Sequence, residues 1–189
     1  MFPFIDQNAL FGFADGFVKE RINSLEKDVR HCLNTPYAPF PALLYCFATI
    51  DLLGSLYYGD ATKKADTTKQ SKSYMKDFMN YSDDEVKLLQ DIFRHKLVHL
   101  AQPKPSIKYD GHIITWEYSH NDTQMHRKRI PSSSPVIPEK FCISIMTFME
   151  EIRDSVVRPG GYLDRLKGDN LLQNKFQTAI LQIHNPENI

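Results

Sequence analysis

Within FRHKLVHLAQPKP, residues 93–105, an arginine and two histidines fall in six positions: Arg94, His95 and His99. A histidine titrating near neutrality can take a proton from a ribose 2′-hydroxyl and return one to a leaving oxygen. A guanidinium beside it can hold a phosphate through paired N–H donors and stabilise charge building on the phosphoryl oxygens. The set could therefore act on a phosphodiester. Two other chemistries fit the same residues. His95 and His99 lie four apart, as in paired helical zinc ligands. HKLVH, however, lacks the glutamate that follows the first histidine of metalloprotease helices, and the adjacent arginine repels a cation. A third ligand would have to come from His112, His120 or His126. In the plainest alternative the histidines line a helix interface and Arg94 pairs with an acid.

A helix must position these side chains. Ser82 followed three residues on by Glu85 forms a capping box, and Asp83, Asp84 and Glu85 complement the helix dipole. The helix should run from Asp83 to about Gln102, where Pro103 and Pro105 prevent its continuation. At about 100° per residue, Val86, Leu89, Phe93, Leu97 and Leu100 form a core-facing stripe. Leu88, Ile92, His95 and His99 form a second row nearly opposite, with Arg94 at its edge. Water would not require Leu88 and Ile92 there, so this row predicts packing on another helix or a second copy. Arg94 and His99 stand about 140° apart on an ideal helix. Arg94 would have to reach along the groove, or the helix end tighten, for one phosphate to meet both. A two-fold axis through the groove would bring two such sets together.

Around this helix the chain reads as more helices and one hairpin. Val18, Ile22, Leu25, Val29 and Cys32 mark an amphipathic helix over 15–34. The apolar run 41–58 predicts a central buried helix, with Asp51 inside it and Gly59 to end it. Lys63, Lys64, Lys69, Lys72 and Lys76 stand against Asp66 alone over 61–76, a basic connection with a short helix at its far end. SIKYDGHIITWEYSH alternates around Asp110-Gly111 and predicts a hairpin over 106–119, with a third strand in QMHRKRI. PSSSPVIP is a linker. A helix follows from Pro138, carrying Phe141, Ile145, Phe148 or Met149, Ile152 and Val156 on one face. Gly160-Gly161 stops it, and a last helix covers about 169–183. The fold class is mainly α: one domain over 1–189, an antiparallel bundle of five or six helices with a β-hairpin inserted at 106–130.

Composition narrows the function. With 23 basic and 23 acidic residues in 189, the net charge is zero, which disfavours coating nucleic acid but not meeting it at a local basic site. Cys32, Cys46 and Cys142 are widely spaced among apolar residues, so they read as free thiols in a reducing compartment. The N-terminus lacks a basic region before its apolar residues and does not read as a signal peptide. A cytoplasmic protein with no membrane partner is expected.

RHKLVH resembles the R-Φ-x-x-x-H motif of the HEPN superfamily, in which Φ is asparagine, aspartate or histidine. Arg94 matches the arginine, His95 the Φ position and His99 the histidine. The resemblance implies a compact helical bundle, commonly dimeric, with the motif late in a bundle helix. It implies a metal-independent endoribonuclease without a cofactor, its site composed where two motifs meet across a homodimer. His99 would be the general base or acid, Arg94 the phosphate holder, and His95 the residue orienting them. RNA is then the substrate, and in a toxin–antitoxin setting an antitoxin protein is a partner. Lys96 and the cluster Arg127, Lys128 and Arg129 are candidate RNA contacts. The alternative is a non-catalytic module of the same architecture that binds a nucleotide, a small ligand or a partner protein.

Overall fold

The computed structural model describes residues 7–34, 36–134 and 137–185. The chain is mainly helical with one small mixed sheet. The helices are α1 (Gln7–Leu33), α2 (Pro39–Tyr58), α3 (Thr67–Met79), α4 (Asp83–Leu88), α5 (His95–Leu100), α6 (Ile145–Val157), α7 (Tyr162–Gly168) and α8 (Asn170–Ile183). A π-helical segment, Leu89–Arg94, joins α4 to α5. The strands are β1 (Ile107–Tyr109), β2 (His112–Ser119), β3 (Arg129–Ile130) and β4 (Glu139–Ser144). Contacts divide the chain into two compact units. Unit 1 comprises 1–24, 48–80 and 152–189; unit 2 comprises 25–47 and 81–151.

In unit 1 the periodic residues Val18 and Ile22 of α1 are buried, as are Ile50, Leu53 and Leu56 of α2. Gly54 lets α3 approach: a Cβ there would stand 2.8 Å from the Gln70 backbone carbon. α3 is longer than its apolar residues predict, because Asp66 accepts the Lys69 N–H and starts it about two turns before Tyr74. Tyr74, Phe78 and Tyr162 cluster at its buried face, and the Tyr74 hydroxyl meets Ser155 Oγ at 2.9 Å. By length and composition α2 could cross a membrane, yet 56% of its apolar window is buried inside the protein.

Unit 2 holds the sheet, in the order β1-β2-β4-β3. β1 and β2 pair antiparallel through Tyr109↔His112, across a turn in which Asp110 and Gly111 have φ of 47° and 79°. Two consecutive positive φ values are what Asp-Gly supplies to a tight hairpin turn. The two strands do not stand apart as an insertion, because β2 also pairs in parallel with β4, from Ile114↔Glu139 to Ser119↔Ser144. β4 replaces the first turns of the helix expected from Pro138. Phe141, Cys142 and Ile143 are all buried, so the strand shows no polar alternation and reads like the start of a buried helix. Cys142 faces both Arg127 and Lys128 through 2.9 Å backbone bonds, with Arg127 at φ 63°, a bulge beside β3.

Candidate functional site

The helix that carries Arg94, His95 and His99 starts as its sequence requires. Ser82 Oγ accepts the Glu85 N–H, and Glu85 Oε2 accepts the Ser82 N–H at 2.8 Å. After Leu88 the turn widens, and the His95 N–H reaches back five residues to the Gln90 carbonyl. The Ile92 carbonyl, inside this wide turn, accepts the Lys104 N–H at 2.8 Å from beyond the helix end. The helix stops at Leu100, with Ala101 left-handed at φ 56°, two residues short of the proline limit.

The wide turn buries far more of the helix surface than one stripe. Val86, Leu88, Leu89, Gln90, Ile92, Phe93 and Leu97 are all buried. Phe93 stacks on Phe47 at 6.5 Å and meets Trp116 edge-on at 6.0 Å. Leu88 and Ile92 thus find their cover within the chain, so the second row does not by itself require a second copy. The expected core position of Leu100 lies outside the described side chains.

Arg94 is buried at 9% exposure. His95 and Lys96 are half-buried, and His99 is exposed. The roughly 140° between positions five apart accounts for the contrast between Arg94 and His99. Within one chain the guanidinium and the second imidazole therefore lie on different faces of the helix. Two concave regions of unit 2 are lined elsewhere, one by residues that include His112, Ile113 and Glu139, the other by Asp84, Lys87, Tyr109 and Asp110.

The other histidines are separate from His95 and His99 in their roles. His112 opens β2, and His120 stacks on Tyr37 at 6.3 Å. Among the described residues, no group of three or more His, Cys, Asp or Glu side chains could hold a metal ion. The three cysteines are free; Cys46 and Cys142 are buried, and burial pushes both thiols up from the ordinary range.

Compared with protein-family models, curated proteins and solved structures, the chain matches none of them.

The basic cluster after the hairpin divides by role. His126, its side chain 4% exposed, accepts the Ser144 N–H at Nδ1 and meets Glu151 and the Tyr81 hydroxyl at Nε2, each at 3.1 Å. The Tyr81 hydroxyl also donates to Glu151. Burial first, then the Glu151 charge, push the Tyr81 phenol well above its ordinary range. Arg127 grips Glu85 in a two-point bond, Nε to Oε1 at 2.7 Å and Nη2 to Oε2 at 2.8 Å, and lies 4.1 Å over the Tyr81 ring. Arg129 donates to Glu139 at 3.0 Å. Of the candidate RNA contacts in this cluster, Arg127 and Arg129 are thus bound to carboxylates, and Lys128 is exposed. The network joins residues more than forty positions apart, and no spacing rule reveals such pairs. The hairpin aromatics Trp116 and Tyr118 stack on each other at 5.9 Å, and each meets Phe40 edge-on.

Proposed function

We propose that residues 94–99 form a HEPN-type phosphodiester site, and that the helical chain is an antiparallel bundle of that type which also carries the four-stranded sheet. The reading makes the protein a metal-independent endoribonuclease. His99 exchanges the proton of the ribose 2′-hydroxyl, Arg94 holds the scissile phosphate, and His95 orients them. The observation that carries it is RHKLVH at the C-terminal end of a helix, with His99 exposed and His95 half-buried directly after a wide turn. Wide helical turns recur at functional sites. Because Arg94 and His99 occupy different faces, one phosphate meets both sets only where a second copy completes the site, so the active form is a homodimer. Lys96 and Lys128 are its candidate RNA contacts, and an antitoxin protein would act by covering the seam.

The test is RNA cleavage with a chelator present. Wild type should cut and leave 2′,3′-cyclic phosphate ends. His99→Ala should abolish cutting, and Arg94→Lys, which keeps the stem and charge but not the two-point grip, should lose most of it. Cleavage untouched by His99→Ala sinks the reading. A second reading is favoured by the burial of Arg94: a non-catalytic module of the same architecture that binds a nucleotide, a small ligand or a partner protein. It predicts no cleavage by wild type under any of these conditions.

A further inference from the structure

Unit 1 carries a basic surface that the nuclease reading leaves unused. Lys69, Lys72 and Lys76 of α3 are spaced by three and seven residues, which sets them within about 60° of one another on the helix. Their stripe lies opposite the buried residues Tyr74, Met75 and Phe78. Lys63 and Lys64 extend it through the preceding loop. Lys63, Lys64, Lys69 and Lys76 are exposed, and Lys72 is half-exposed. The nearby acids are already engaged: Asp66 Oδ1 accepts the Lys69 N–H at 2.9 Å, and Asp77 accepts the Tyr57 hydroxyl at 2.6 Å. Among the described residues, Lys64, Lys69 and Lys72 make no ion pair with a carboxylate. Beside them Tyr58, at the end of α2, is 40% exposed, and the Lys69 ammonium stands 5.4 Å from its ring centroid.

A run of like charges on one helix face repels itself unless an anion with repeating charges neutralises it. An exposed aromatic ring inside such a run matches the pairing used for single strands, in which lysines follow phosphates and a ring carries an unpaired base. A membrane surface fits less well. Interfacial helices insert an apolar face, and that face of α3 is buried in the protein. We propose that Tyr58 and the lysines of 63–76 bind single-stranded nucleic acid, with Tyr58 under a base and Lys64, Lys69 and Lys72 on phosphates. The assignment stands on unit 1 alone and does not need the nuclease reading.

The test measures binding of a fluorescein-labelled oligouridylate by anisotropy across a salt series. The full chain carries His99→Ala and EDTA is present, so cleavage and binding are read separately. Lys64→Gln/Lys69→Gln/Lys72→Gln should weaken binding about tenfold or more and reduce the log–log salt slope by about 2. Tyr58→Ala should weaken it about fivefold or more. A control that removes three exposed lysines of unit 2, Lys27→Gln/Lys104→Gln/Lys108→Gln, should retain the starting affinity. The proposal is overturned if the starting protein does not bind the oligonucleotide, if the first triple variant binds unchanged, or if the control loses as much. Binding to phosphatidylserine vesicles through the same lysines, without oligonucleotide binding, would assign the surface to a membrane instead.

Discussion

Arg94 and His99 should respond to truncation in opposite ways. The buried stem of Arg94 packs along its length, so Arg94→Ala removes packing as well as a charge. A loss of about 2 kcal/mol, or about 4–8 °C in melting temperature for a chain of this size, is expected by calorimetry. His99→Ala, at an exposed position, should stay within about 0.5 kcal/mol of wild type. The Glu85 carboxyl provides a pH signature. Its burial works to raise the pKa, but the Arg127 and Ser82 hydrogen bonds outweigh this and hold it below the ordinary value of 4.5. A depressed folded pKa means the unfolded chain binds the proton first, so this stability is present above about pH 4.5 and is lost as pH falls below it. Melting temperatures of Glu85→Gln and wild type should differ at neutral pH and converge as the pH is lowered through the acid range below about 4.5. Residue types in the 94–99 set were legible in the sequence. The separation of Arg94 from His99 was legible too, but the facing of the set relative to Asp83–Leu88 was not, because an ideal wheel has no place for the extra residue of a wide turn.

Element starts and stops were legible where a local rule governs them. Ser82→Ala removes one half of the capping box and should lower stability by about 1 kcal/mol in urea denaturation, with an unchanged slope. The Asp110-Gly111 turn and the helix-ending Gly59, at φ 85°, belong to the same class. Elements set by distant partners were not legible. β4 is a strand because β2 pairs with it, and α7 (Tyr162–Gly168) is too short to announce itself by period. The contact of α2 with α3 is equally silent in the sequence. Gly54→Ala pushes a methyl against the Gln70 backbone and should destabilise by about 1–3 kcal/mol, whereas Gly12→Ala, with open space around it, should not.

At the scale of the whole molecule, a mainly helical class followed from composition and period, while the sheet was seen as its first two strands and a third in QMHRKRI, where β3 lies, but without β4. Residues 120–138 carry the chain from β2 back to the parallel β4, a crossover that pattern alone reads as strand, loop and linker. The proposed site also belongs to this scale, since it needs two copies. Light scattering should give twice the chain mass. Mixing inactive Arg94→Lys with inactive His99→Ala should restore about a quarter of wild-type cleavage, from mixed dimers holding one intact site. Mixtures that stay inactive, or a monomer that cuts RNA, would rule out the composite arrangement.

The wide turn at Leu89–Arg94 amounts to one residue more than a regular helix needs. It works as a phase adjuster between the anchored start of the helix and the end that carries the histidines. The wide turn absorbs the extra residue, so deleting one residue there would leave the phase of His95–Leu100 nearly unchanged, whereas a regular helix that kept all six residues would turn His95–Leu100 by about 100° relative to Asp83–Leu88. Leu97 would then leave the core as Arg94 and His99 changed faces. In this segment the width of the turn, as much as the identity of its residues, fixes which way Arg94 and His99 face.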